Sequence, residues 1–240
     1  MLTLRAFLDG QERVYDEFRR LAAESVGTKG IKTDPRLTER FGGFSVNVSP
    51  SPDVAHRAAD FSRRISAAVS AIIYPAEEIH TTLCGYGARP GFLADSEKPE
   101  FRDVLRGLIS GVEEILPVAG SFSCAINYDE WLYTPAVVIA AGRPNEAFVG
   151  LMAAIEESCG KEGFALRPAW GAHITLSRFM NVEIPPEGLG GFLKIVSETP
   201  PLGRSVATRL NVGYTSWKSY DIDVSQENCG RFVSCASFSL

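Results

Sequence analysis

The chain is poor in histidine. Among its 240 residues there are only three, at positions 56, 80 and 173. It also lacks a basic excess, since 24 Lys and Arg stand against 29 Asp and Glu for a net charge of −5. That excludes a broad, sequence-independent grip on long nucleic acid, which needs a basic face. A small nucleotide or an RNA end stays compatible, because a few local donors suffice. No apolar run approaches the length of a membrane span. The first ten residues lack a basic segment followed by an apolar run, so no signal peptide is expected and the expected location is cytoplasmic. The cysteines are Cys84, Cys124, Cys159, Cys229 and Cys235. Their number is odd and no two form CxxC, which reads as free thiols in a reducing compartment. Neither His80 nor His173 has a Cys or second His at ligand spacing, so no metal or other cofactor is expected.

What is present is a repeated tag. His80-Thr81-Thr82-Leu83 and His173-Ile174-Thr175-Leu176 both read His-x-Thr-Leu. By average composition a His would be followed by Ser or Thr two places on and Leu three places on about once in a hundred times. Two of the three histidines carry it. A Thr two places along a strand shares a face with its His, because side chains alternate. Its hydroxyl can then hold a phosphate oxygen while the imidazole moves a proton. Breaking a phosphodiester needs both a base and an acid, so one tag is half a site and two facing tags make a whole one. Two core histidines held by hydroxyls would be the plain structural alternative.

The second tag continues as Ser177-Arg178-Phe179, and the first as Cys84-Gly85-Tyr86-Gly87. In these runs the chain resembles the two-histidine (2H) phosphoesterase superfamily, with its LigT-like 2′-5′ RNA ligases and cyclic phosphodiesterases. Gly87 falls where many members have a glycine, while Gly85 replaces their usual aromatic. The resemblance implies an α+β fold of two pseudo-duplicated lobes. Each would be a mainly antiparallel sheet backed by helices, with a shared concave cleft. It covers residues 43–240, with lobes of about 43–118 and 119–240. Residues 1–42 are expected to be a helical extension and linker. The substrates implied are RNA-derived: 2′,3′-cyclic phosphate ends, 2′-5′ linkages or small cyclic nucleotides.

Along the chain, residues 1–26 show apolar positions at three- and four-residue steps and predict an amphipathic helix that Asp9-Gly10 can interrupt. Residues 27–42 read as a loop. Phe44–Val48 alternates as a strand. Ser51-Pro52-Asp53 opens a helix to about Ile73. His56, in its first turn, reads as a solvent-facing residue. A short strand over Ile79–Leu83 is expected, then a loop from Gly85 to Gly91 holding Tyr86, an aromatic that could stack on a base. A helix over Glu97–Leu116 should end at Pro117. Ser121–Tyr128 and Ala136–Ala141 read as strands joined through Trp131-Leu132-Tyr133. A helix from Pro144 to Cys159 precedes the second tag. Each half thus reads strand, helix, tagged strand. Phe192–Ser197 reads as a short helix or a strand. Ser205–Tyr214 and Lys218–Val224 read as a final hairpin, and residues 231–240 as an edge strand or a frayed end.

The site expected from these readings has His80 and His173 as acid and base, with Thr82 and Thr175 on the phosphate oxygens. Arg178 and Tyr86 are further substrate contacts. The expected partner is a nucleotide or short RNA, with no membrane and no protein partner inferred. An RNA-end-binding or ligase-like protein with little turnover is the alternative. A metal-dependent hydrolase using Asp129 or Glu130 is a third reading.

Overall fold

The structure is a computed structural model and describes residues 2–92, 98–119, 123–216 and 231–240. It opens with helix α1 (Leu4–Leu21), capped by the Thr3 hydroxyl, which accepts from the Ala6 amide. The helix passes Gly10 without a break and continues through a π-helical turn over Ala22–Val26 into α2 (Gly27–Lys29). The stretch expected to be a loop carries β1 (Ile31–Lys32) and α3 (Pro35–Thr38). Then come β2 (Gly42–Ser49), α4 (Pro52–Ala68), β3 (Thr81–Arg89) and α5 (Pro99–Ala119). The second half holds β4 (Ala125–Tyr133), β5 (Val137–Pro144), α6 (Glu146–Lys161), β6 (Arg167–Pro168), β7 (His173–Arg178) and β8 (Glu183–Ile184). It ends with α7 (Gly190–Glu198), β9 (Gly203–Val206), β10 (Arg209–Ser216) and β11 (Arg231–Ser239).

Several boundaries differ from the sequence expectations, each for a local reason. α4 stops at Ala68 rather than near Ile73, because Val69 is fully extended. β3 runs on through Gly85 and Gly87 to Arg89, so the expected loop is strand, paired against β2. Trp131, Leu132 and Tyr133 belong to β4 itself, and the connection is the short turn at 134–136. Pro117 lies inside the end of α5. The run Ser205–Tyr214 splits into β9 and β10, which sit at opposite parts of the sheet. Lys218–Val224 lies outside the described residues, and the strand that pairs with β10 is β11, at the sheet edge.

The fold is α+β, with antiparallel strand pairing. Half-sheet β11-β10-β2-β3 joins half-sheet β7-β5-β4-β9, with β6 an added partner of β3. The two halves meet at the tagged strands, through the pair Thr81 and Ile174. The units β2–α4–β3 and β5–α6–β7 repeat one plan, as the order of elements predicts. Helix α4 buries Val54, Ala58, Phe61 and Ile65, which recur at three- and four-residue steps. It lies against β7, where Ser62 Oγ meets Ser177 Oγ at 3.2 Å. Helix α6 lies against β3, where the Cys84 thiol donates to the Met152 carbonyl. Each half's helix therefore backs the other half's tagged strand. Residues of the first 42 also enter the main core, with Phe7, Val26 and Ile31 buried there.

Candidate active site

Both tags sit at the junction of the half-sheets. His80 immediately precedes β3 and His173 begins β7. The alternate residues point into the protein: Thr81, Leu83, Ile174 and Leu176 are all fully buried. The buried Thr81 hydroxyl shares a 2.6 Å hydrogen bond with Tyr128 Oη. His80, Thr82, His173 and Thr175 lie on the other face and line one cavity of about 270 Å3. Thr81 pairs with Ile174. One further residue on each side of that register sets His80 across from Thr175 and Thr82 across from His173. The four side chains form a square with the histidines on a diagonal, which in an antiparallel pair is about 7–8 Å.

Each imidazole is held in the same way. His80 Nδ1 lies 2.6 Å from the Glu78 carbonyl, and His173 Nδ1 lies 3.1 Å from the Gly171 carbonyl. Both acceptors are two residues upstream. A carbonyl only accepts, so Nδ1 carries the proton in each ring and Nε2 is left with its lone pair. Burial lowers both pKa values, against the raising effect of these carbonyls. At His173 the nearby Arg178, His80 and Arg36 lower it further, to about 4. Near neutral pH both rings of the unliganded protein are therefore uncharged. An aromatic flanks each ring as well. Trp170 stacks on His173 with centroids 4.2 Å apart, and Phe232 tilts against His80 at 5.1 Å.

Arg178 also lines this cavity, because β7 carries a bulge. Ile139 pairs with Thr175 and Val138 with Ser177, which leaves Leu176 as an extra residue. The bulge reverses the alternation, so Ser177 turns to the core and Arg178 to the cavity. The first tag is bulged at the same point. Asn47 pairs with Thr82 and Val46 with Cys84, leaving Leu83 extra, and Gly85 follows on the cavity face. Gly85 and Arg178 thus occupy matching positions. The Arg178 guanidinium is ion-paired to Asp34, which is itself only 4% exposed and caps α3. Burial alone would lower the Arg178 pKa, but Tyr74 and Asp34 more than offset it and the group stays cationic.

Tyr86 is not brought to the cavity. It lies on the opposite side of β3, opposite Phe44 in the register and against Phe164. Asp129 pairs with Arg143, and Glu130 with Arg19, and neither lines the cavity. Among the described residues no group of three or more His, Cys, Asp or Glu is placed to hold a metal ion. His56 is exposed on α4. Residues that the sequence did not single out also form the cavity walls: Arg36, Leu37, Phe41, Tyr74, Thr215 and Phe232. They come from distant segments and share no local motif.

No protein-family model and no curated protein matches the chain. The chain is similar to solved structures of LigT. The E. coli LigT complex with 3′-AMP aligns with a TM-score of 0.44 and 14% identity, over 83% of this chain and 98% of that one. A structure described as a phosphoesterase aligns at 0.46 and 13% identity, over 82% and 98%. TT0787 of Thermus thermophilus aligns at 0.44 and 18% identity, over 82% and 97%. Among the described residues no helix is long and apolar enough to cross a membrane.

Proposed function

We propose that the chain is a two-histidine phosphoesterase, a metal-independent phosphodiesterase for RNA-derived phosphodiesters with 2′,3′-cyclic or 2′-5′ linkages. The observation that carries this reading is the square of His80, Thr175, Thr82 and His173 on one wall of one cavity. The matched carbonyl anchors support it, since they leave the Nε2 of each ring as its basic nitrogen. In the reaction a neutral imidazole takes the proton of a water or ribose hydroxyl as its oxygen bonds to phosphorus. The other imidazole, protonated, gives its proton to the departing oxygen as the second P–O bond breaks. Thr82 and Thr175 donate to the non-bridging oxygens, and Arg178 offsets the charge that builds there. Tyr86 has no part in these steps. The residues 43–240 supply both tags, and the cavity takes further walls from residues 36–41.

The test is turnover of a nucleoside 2′,3′-cyclic phosphate and of a 2′-5′ dinucleotide in EDTA. Wild type is compared with His80→Ala and His173→Ala. Turnover that survives EDTA and falls by about a hundredfold or more in each variant is expected, the usual scale of acid–base catalysis. Turnover that persists in either variant refutes the reading.

A further inference from the structure

The two halves of the sheet do not offer the same surface to a ligand. Residues paired across antiparallel strands share a face. Ala141 pairs with His173, Ile139 with Thr175, and Leu132 with Ile139, so these residues continue the cavity face across the second half-sheet. They are nonetheless buried, at 1%, 1% and 3% exposure. What covers them is α1, through Tyr15 and Phe18. The cover is tied down by polar contacts to the strands themselves. Tyr15 Oη donates to the Ala172 carbonyl at 3.0 Å and accepts from the Gly142 amide at 3.1 Å. Gln11 donates to the Gly142 carbonyl and accepts from the Ala172 amide at 2.7 Å. Arg19 grips Glu130 of β4 through two hydrogen bonds.

The helix offers no substitute track for a phosphate backbone. Its bases Arg5, Arg13, Arg19 and Arg20 are matched by Asp9, Glu12, Asp16 and Glu17. Arg19 and Arg20 are already engaged by acids. On the first half-sheet, by contrast, Ser45, Thr82 and Thr215 line the open cavity. Residues following α1 close its flank, with Arg36, Leu37 and Phe41 in the wall. The Arg36 guanidinium lies over the Phe41 ring at 5.2 Å, and the neighbouring acid, Asp34, is held by Arg178.

We propose that residues 2–41 make this a closed-ended site, which reads one phosphodiester and its immediate nucleosides and gains nothing from a longer chain. Arg36 is the contact that this segment contributes to the phosphate. The inference rests on the phosphodiesterase reading for its choice of ligand. The test uses the full chain and 2′-5′-linked di-, tri- and tetra-adenylate. kcat/KM is read where there is turnover, and Kd where there is none. An open groove would gain about tenfold per added nucleotide from base stacking alone. The expected result is a change within about threefold from dimer to tetramer, and a loss of about tenfold at every length in Arg36→Ala, the scale of one charge-assisted contact. Turnover that climbs tenfold with each nucleotide overturns the closed end while leaving the phosphodiesterase reading intact. Length-independent binding without turnover does the reverse. Binding of none of the three overturns both, and an Arg36→Ala variant with wild-type constants overturns the role of Arg36.

Discussion

An anion in the cavity should protonate His80 rather than His173. In the unliganded protein burial holds both rings neutral, and His173 sits at about 4 instead of 6.5. That difference of 2.5 pH units corresponds to about 3 kcal/mol at 1.36 kcal/mol per unit. A phosphate charge about 4 Å from a ring, at an effective dielectric constant near 20, returns about 4 kcal/mol, or roughly three pH units. One bound phosphate can therefore offset a shift of the size seen at His173. The proton must choose between two coupled rings. Burial opposes a charge on both rings, and at His173 the nearby Arg178 and Arg36 oppose it as well. In the proposed reaction this would make His80 the acid and His173 the base in the forward direction. The assay is imidazole 15N chemical shift by NMR, titrated from pH 4 to 9, with and without inorganic phosphate. Three histidines make assignment direct, using His80→Gln and His173→Gln. The expectation is that both site rings are neutral at pH 7 without phosphate and that His80 is charged with it. An imidazolium at His173 in the phosphate complex, or ordinary titration of both rings near 6.5 without it, would refute the electrostatic argument.

The same two neutral rings should make the protein acid-sensitive. A depressed histidine binds more protons when unfolded, so stability falls as pH drops from 6.5 towards 4, by up to about 3 kcal/mol for His173. Urea melts at pH 7 and 5 should show this, and His173→Gln should flatten the difference. Removing one partner of the buried Arg178–Asp34 pair leaves the other charge uncompensated. Asp34→Asn should cost on the order of 3 kcal/mol in the same melts, and the double variant with Arg178→Met should recover much of it. Thr81→Val should cost about 1–3 kcal/mol by stranding the buried Tyr128 hydroxyl, and Thr81→Val with Tyr128→Phe should be closer to wild type. A Thr81→Val cost unchanged in the Tyr128→Phe background would show that this hydrogen bond is not what holds the two strands at that point.

The tags are legible in the sequence because they are local. Period-two alternation puts His and Thr of each tag on one face, and the burial of Thr81, Leu83, Ile174 and Leu176 follows from the same rule. The order strand, helix, tagged strand is legible too, since the helices announce themselves by turn residues at their starts and by apolar stripes. What stays hidden is whatever depends on pairing. By propensity β3 finishes at Leu83, because Gly85, Gly87 and Pro90 are loop residues. Its partner β2 holds it extended to Arg89 regardless. Tyr86 goes with it: as a loop residue it could face the site, and as a strand residue past a bulge it cannot. The Trp170 stack on His173 lies only three residues from its partner, yet no periodic rule joins a pre-strand aromatic to a strand histidine. That the first helix packs on the main domain is legible from its apolar stripe, but where it sits is not, because its contacts span more than a hundred residues, as in Gln11 to Gly142.

The bulges explain how a nearly symmetric scaffold yields a directional site. Both tags break alternation at their leucine, Leu83 and Leu176, so both send the third residue beyond the Thr back to the cavity. In one copy that residue is Arg178 and in the other Gly85. A Cβ at Gly85 would meet only the Phe44 carbonyl, at 3.8 Å, so the glycine is not required by packing there. It leaves that corner uncharged and open. Arg178 therefore adds its charge on the His173 side, where in the proposed reaction it attracts the non-bridging oxygens and opposes a proton on that ring. The stacked Trp170, held from α1 by Tyr15 and Phe18, fixes that same ring. His80 has no arginine at the matching position, and burial is what lowers its pKa. In the proposed reaction, duplication supplies two proton carriers, and the Gly85–Arg178 difference biases which of them starts with the proton.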